Sequence, residues 1–164
     1  MLFHLDTFLT ILIDVAAWFV IHMGISYLMA HKPRYVLNPE DWLYRQRTWE
    51  KNGRLYHKWF QIHQWKSILP DGAALFKFGF RKKHLKELNE NYFQDFIHET
   101  CRAELTHWIV FLFGFIFFIW NLWWVGIVMV IYAFAANMPC IVTQRYNRIR
   151  LRRVLGTINK NPKS

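Results

Sequence analysis

The sequence predicts an all-α integral membrane protein with about three transmembrane helices, the last two forming a hairpin, and cytoplasmic amphipathic or interfacial helices between the spans. Three observations predict it. Apolar stretches cover residues 8–29 and 105–143, and the second is long enough for two crossings. The 164 residues are 54% hydrophobic and include nine Trp and fifteen Phe, more than a soluble domain of this size buries with ease. Every Lys and Arg lies within Lys32–Arg102 or Arg145–Lys163, so both basic segments read as cytoplasmic and the short N-terminus and hairpin tip as outside. The length suits a single membrane domain, residues 1–164, placed in the cell membrane as a multi-pass protein. Its expected parts are spans at 8–29, 104–120 and 123–143, an interfacial cytoplasmic segment at 32–98 and a basic cytoplasmic tail at 144–164.

The first span lacks the positive start of a cleaved signal peptide and reads as a retained anchor. Asp14 and His22 within it share a helical face, with a structural role expected for both. Pro33 and Pro39 make the exit extended. From Trp42 to Lys66 aromatic and basic residues alternate densely, as in an interfacial helix with rings at the acyl boundary and cations on headgroups. The same residue types serve nucleic-acid binding, but tethering to a bilayer argues against it, and no nucleic-acid partner is expected. Leu69-Pro70-Asp71-Gly72 is a turn signature, and Ala73–Phe80 a short interfacial piece. Residues 81–98 read as a helix through the spacing of Leu85, Leu88, Tyr92 and Phe96. The Arg81-Lys82-Lys83 cluster suits anionic lipid or the phosphates of a coenzyme equally well.

The stretch His98–Trp108 leads into the second span. On a helix it places Glu99, Arg102, Glu104 and His107 on one broad face at the bilayer boundary. Trp120-Asn121-Leu122-Trp123 is the natural turn, since Asn tolerates turn geometry and Trp favours the interface. Counting outward from it sets His107 level with Ala136 and Asn137, Glu104 near Pro139, and Glu99 near Gln144. Two polar clusters are therefore expected to meet: Glu99, Arg102, Glu104 and His107 with Asn137, Gln144, Arg145, Tyr146, Asn147 and Arg148. Pro139 removes a helix donor in the same neighbourhood. Arg145 and Arg148 also fit simple snorkelling at a helix end. Glu104 and His107 lie inside the apolar boundary, where an unpartnered polar group is costly.

A single Glu-x-x-His is half of a di-iron motif, and no paired His boxes accompany it, so no metal site is expected. Cys101 and Cys140 border a reducing compartment and read as free thiols. A non-catalytic scaffold for a lipid pathway would need no buried acid–base pair; a transporter would need broken half-helices that are not evident.

The strings ETCRAELTHW, AANMPCIVTQRYNRIRL and KNGRLYHKWFQIHQWKSILPDG resemble the small membrane acyltransferases of carotenoid glycolipid synthesis, the glycosyl-4,4'-diaponeurosporenoate acyltransferase family, over roughly residues 40–155. The resemblance implies transfer of a fatty acyl group to a sugar hydroxyl of a glycosylated carotenoid or related glycolipid. The co-substrate would be an acyl-CoA or acyl carrier protein thioester, with no tightly bound cofactor, and the partners are membrane lipids, the acceptor and the donor. Neither a His-x-x-x-x-Asp box nor a Gly-x-Ser-x-Gly elbow is present, which favours direct attack on the thioester over an acyl-enzyme. In that chemistry His107 is the base and Glu104 orients it, with Glu99 beside them. Arg102, Asn137 or Gln144 meets the developing oxyanion, and Arg145, Arg148 and Lys66 hold donor phosphates. Trp59, Trp65 and Tyr146 stack on sugar or chain.

Overall fold

The computed structural model describes residues 6–65 and 90–160, with the backbone alone at Arg34, His63, Trp65 and 158–160. The turn at 69–72, the Ala73–Phe80 piece, the Arg81-Lys82-Lys83 cluster, Lys66 and the Trp65 side chain lie outside the described residues. The described elements are all helical: α1 (Thr7–His31), α2 (Arg54–Lys58), α3 (Ile62–Trp65), α4 (Glu90–Phe113) and α5 (Trp123–Lys160). Three helical stretches are long and apolar enough to cross a membrane: Thr7–His31, Glu90–Ile119 and Trp123–Thr157.

Asp6 caps α1 by accepting from the Phe8 amide at 3.3 Å. Along α1 the side chains of Phe8, Val15, Phe19 and Leu28 are each more than 60% exposed. A continuous apolar surface of that kind belongs against lipid.

The hairpin is α4 and α5. α4 narrows into a 3-10 stretch, Gly114–Ile119, before the chain turns at Trp120–Leu122, where the apolar pattern places the turn. Gly114 allows the close crossing, since a Cβ there would stand 2.8 Å from the Cβ of Ala133. Asp14 is buried in α1 and accepts from Trp120 Nε1 at 2.7 Å and Asn121 Nδ2 at 2.8 Å. These two bonds tie the first span to the hairpin tip and satisfy a carboxylate that would otherwise be costly inside the bilayer. Trp18 adds a stack on Phe117 at 4.6 Å.

Two features differ from the sequence expectation in form. The basic stretch after residue 143 continues α5, which runs through Pro139 to Lys160. About 20 residues suffice to cross the hydrocarbon, so the last turns of α5 project beyond it. The aromatic–basic segment is not one amphipathic helix but a chain of short turns: 3-10 at Arg34–Val36 and Thr48–Gly53, then α2 and α3. Lys51 and Asn52 take positive φ (46° and 54°), followed by Gly53 at 86°, and this left-handed run ends any regular helix there.

The segment nonetheless packs firmly on the hairpin. Leu37 and Tyr44 bury against Cys101 of α4, while Tyr56 and Ile62 bury against Tyr146 and Ile149 of α5. Each such side chain contributes roughly 2 kcal/mol by leaving water. Trp42, Trp49 and Trp59 remain exposed, as rings at a headgroup boundary would be.

Candidate active site

Antiparallel packing of α4 on α5 brings the two polar clusters together at the end of the hairpin opposite its turn. His107 Nδ1 lies 2.9 Å from Asn137 Oδ1, the pairing that residue counting places level. Asn137 is 2% exposed, and its Nδ2 donates to the Ala133 carbonyl at 2.8 Å. With the amide nitrogen so committed, its oxygen faces the imidazole as an acceptor. A ring that donates to this oxygen carries a proton on Nδ1, and in its neutral form the lone pair is on Nε2. Just beyond Asn137, α5 loses a backbone donor at Pro139, whose carbonyl accepts from Thr143 Oγ1 at 2.9 Å.

Glu104 has another occupation than the one expected of it. Fully buried, it accepts from Arg145 Nη1 at 2.9 Å and Trp108 Nε1 at 3.4 Å, and its second oxygen takes Arg148 Nη2. Its charge is neutralised by guanidinium groups, and Asn137 holds the Nδ1 edge of His107 instead. The residue count matched Cα levels and set Glu104 near Pro139. Long side chains on a helix lean toward its N-terminus, so Arg145 and Arg148 reach back to that level from further along α5.

The two arginines are fixed on every side. Arg148 Nε donates to the Tyr44 carbonyl at 3.1 Å, and its Nη1 approaches Thr100 Oγ1 at 3.5 Å. Arg145 Nε reaches Glu50 Oε1 at 3.1 Å, and its Nη1 also donates to the Leu43 carbonyl at 2.9 Å. These donors staple the turn segment to the hairpin. The sequence assigned Arg145 and Arg148 to donor phosphates; in the structure their guanidinium groups bond to Glu104, Glu50 and backbone carbonyls. Arg102, which the sequence offered to a developing oxyanion, bonds to the Ala30 carbonyl at 2.9 Å and Glu99 Oε1 at 2.7 Å. Glu99 Oε2 is buried with no partner among the described residues.

Gln144 is buried on the Asn137 side of α5, and Asn147 is half-buried beside Arg148. Trp59 is 77% exposed and stands outside the cluster. Tyr146 turns to the opposite side of α5, where its hydroxyl meets His57 Nε2 at 2.9 Å.

Two participants escaped the sequence reading. Glu50 is completely buried, accepting from Arg145, the Tyr56 hydroxyl and the Arg47 amide. It is the lone acid between Trp42 and Lys66, and an acid isolated among cations was the available signal. His57 was unremarkable by spacing, since its partner Tyr146 is far along the chain. The same environment acts on the tyrosines outside the spans. Burial, then the nearby Cys101 and Glu104, pushes the Tyr44 phenol up to about 12. Burial, then its bond to Glu50, raises Tyr56 further.

Fold and site together define a small helical membrane protein with a buried acid–guanidinium knot and an amide-held imidazole at one mouth of its hairpin. The chain belongs to the glycosyl-4,4'-diaponeurosporenoate acyltransferase family, which it matches over residues 40–157, taking in all of these groups. Proteins of that name from Staphylococcus aureus strains bovine RF122 / ET3-1, USA300 and Newman are each 32% identical to it over 143 residues. The similarity covers 87% of this chain and 86% of theirs. No solved structure matches the chain.

Proposed function

We propose that the protein transfers a fatty acyl group from an acyl-CoA or acyl carrier protein thioester to a sugar hydroxyl of a glycosylated carotenoid or related glycolipid. Family membership supports acyl transfer, and the activity for which the relatives are named supports a carotenoid glycoside as acceptor. Three apolar helices suit an acceptor whose tail lies in the bilayer. We place the end that carries residues 32–65 and the last turns of α5 in the cytoplasm, where the basic residues gather and acyl thioesters are made.

The observation that carries the chemistry is the 2.9 Å contact between His107 and Asn137. It leaves Nε2 as the basic nitrogen. At 1.5 Å per residue, Asn137 is roughly 21 Å from the start of α5, inside the inner leaflet of a hydrocarbon layer about 30 Å thick. In the proposed step Nε2 removes the proton of the sugar hydroxyl as its oxygen attacks the thioester carbonyl. The tetrahedral adduct collapses, the carbon–sulfur bond breaks, and the thiolate takes the proton back from the imidazolium. Ester and thiol result, and His107 is restored. The acid–guanidinium knot does no chemistry here; it fixes the register of α5 on α4 and so the position of Asn137.

Purified protein, a labelled acyl thioester and a glycolipid acceptor test this reading. His107→Ala should lower the rate about 10²–10⁴-fold, the usual contribution of a general base, with membrane insertion unchanged. Transfer at a near wild-type rate would remove His107 as the base. No transfer by the wild type with any thioester would favour a scaffold.

A further inference from the structure

On the far side of α5 lies a second polar feature that the proposed chemistry does not use. A groove of about 460 Å³ opens between the Asn52–His57 stretch and α5. Arg54, Arg150 and Arg153 line it with His57 and Tyr146, and no carboxylate does so among the described residues. At about 100° per residue, Tyr146 lies roughly half a turn round α5 from Asn137, so the groove and the His107 site are separate.

Three properties set it apart from an ordinary solvated face. Arg54 and Arg150 are exposed and form no ion pair among the described residues, whereas Arg102, Arg145, Arg148 and Arg152 are each paired to a carboxylate. Arg150 and Arg153 are one turn apart on the helix, a spacing at which like charges repel unless an anion lies between them. The wall opposite is formed by Asn52 and Gly53, the end of the left-handed run that begins at Lys51, a conformation that non-glycine residues adopt at a cost. It is held in place by Arg153, which donates to the Asn52 carbonyl, and by Gln46, which donates to Asn52 Oδ1 at 2.8 Å. The chain maintains an unfavourable backbone to close a concave surface lined by cations.

We propose that this groove is a phosphate-binding site. Guanidinium groups present forked donors that match phosphate oxygens, and the hydroxyl and imidazole pair of Tyr146 and His57 adds shorter-range polar contact. The phosphate is carried either by a soluble coenzyme or by a phospholipid headgroup. The groove lies at the level of α5 where the helix leaves the hydrocarbon, within reach of both. The assignment does not depend on His107 acting as a base.

The test uses the full chain purified in neutral detergent, with coenzyme A as the soluble probe followed by titration calorimetry. Retention of phosphatidylglycerol against phosphatidylcholine, followed by native mass spectrometry, is the lipid arm. The comparison variant is Arg54→Gln/Arg150→Gln, whose positions carry no ion pair among the described residues; the single Arg150→Gln variant serves if the pair does not fold. A tenfold or larger loss of coenzyme A affinity, with lipid retention unchanged, assigns the groove to the soluble donor. Selective loss of phosphatidylglycerol assigns it to a headgroup. Wild-type behaviour toward both probes overturns the proposal. His107→Ala, run in parallel, should bind both probes as the wild type does, so failure of the acyl-transfer reading would leave this result standing.

Discussion

Asn137 is a positioning residue whose contribution can be separated from that of His107. Its amide is held by the Ala133 carbonyl at one end and offers its oxygen to the imidazole at the other. Asn137→Leu keeps the volume and removes the acceptor, so the imidazole loses its preferred tautomer and orientation. The expected result is a fall in kcat of about 10–100-fold, the scale on which outer partners of a functional histidine act, with KM little changed. Asn137→Asp should recover much of the loss by accepting the same proton. Wild-type turnover in Asn137→Leu beside a dead His107→Ala would mean that another group orients the ring. At this scale the sequence was partly legible. Counting back and forth from the Asn121 turn gave the meeting of His107 and Asn137, because a tight hairpin fixes the levels of both helices. The partners of Glu104 were not legible, because an arginine arm reaches across more than one helical turn and a residue count does not see its direction.

At the scale of elements, the described short turns after α1 are tied to the hairpin by charge as well as by apolar packing. Glu50, Arg145, Glu104 and Arg148 alternate in sign across three separate elements, and both carboxylates are fully buried. Removing one member leaves an uncompensated charge. Arg148→Met should destabilise the protein by about 3–5 kcal/mol, read from denaturant unfolding in detergent. Glu104→Leu/Arg148→Met should recover part of that loss, because Arg145 retains Glu50 at 3.1 Å. A double variant no more stable than Arg148→Met would show that the knot stabilises through its carbonyl contacts alone. The long helices were readable from unbroken apolar length, whereas this network was not. Its geometry depends on the left-handed run at Lys51–Gly53 that carries Glu50 to α5, and only Gly53 announces such a backbone in the sequence.

For the whole molecule, the fold separates an apolar hairpin tip from an end that holds the ion pairs found among the described residues. Asp14 closes the first end and the acid–guanidinium knot the second. A donor made in the cytoplasm can reach the site only if the second end faces inward, so sidedness and chemistry stand or fall together. Leu122 in the turn is exposed, and Gly156 near the end of α5 has nothing within 4 Å of where a Cβ would stand. Leu122→Cys and Gly156→Cys are therefore tolerated reporters. The native Cys101 is buried and Cys140 half-buried within the spans, which keeps background labelling low. In intact cells a membrane-impermeant maleimide should label Leu122→Cys and leave Gly156→Cys unlabelled until lysis. The opposite pattern would put the His107 site and the arginine groove on the outer face, beyond reach of cytoplasmic thioesters, and acyl transfer from such a donor would have to be abandoned.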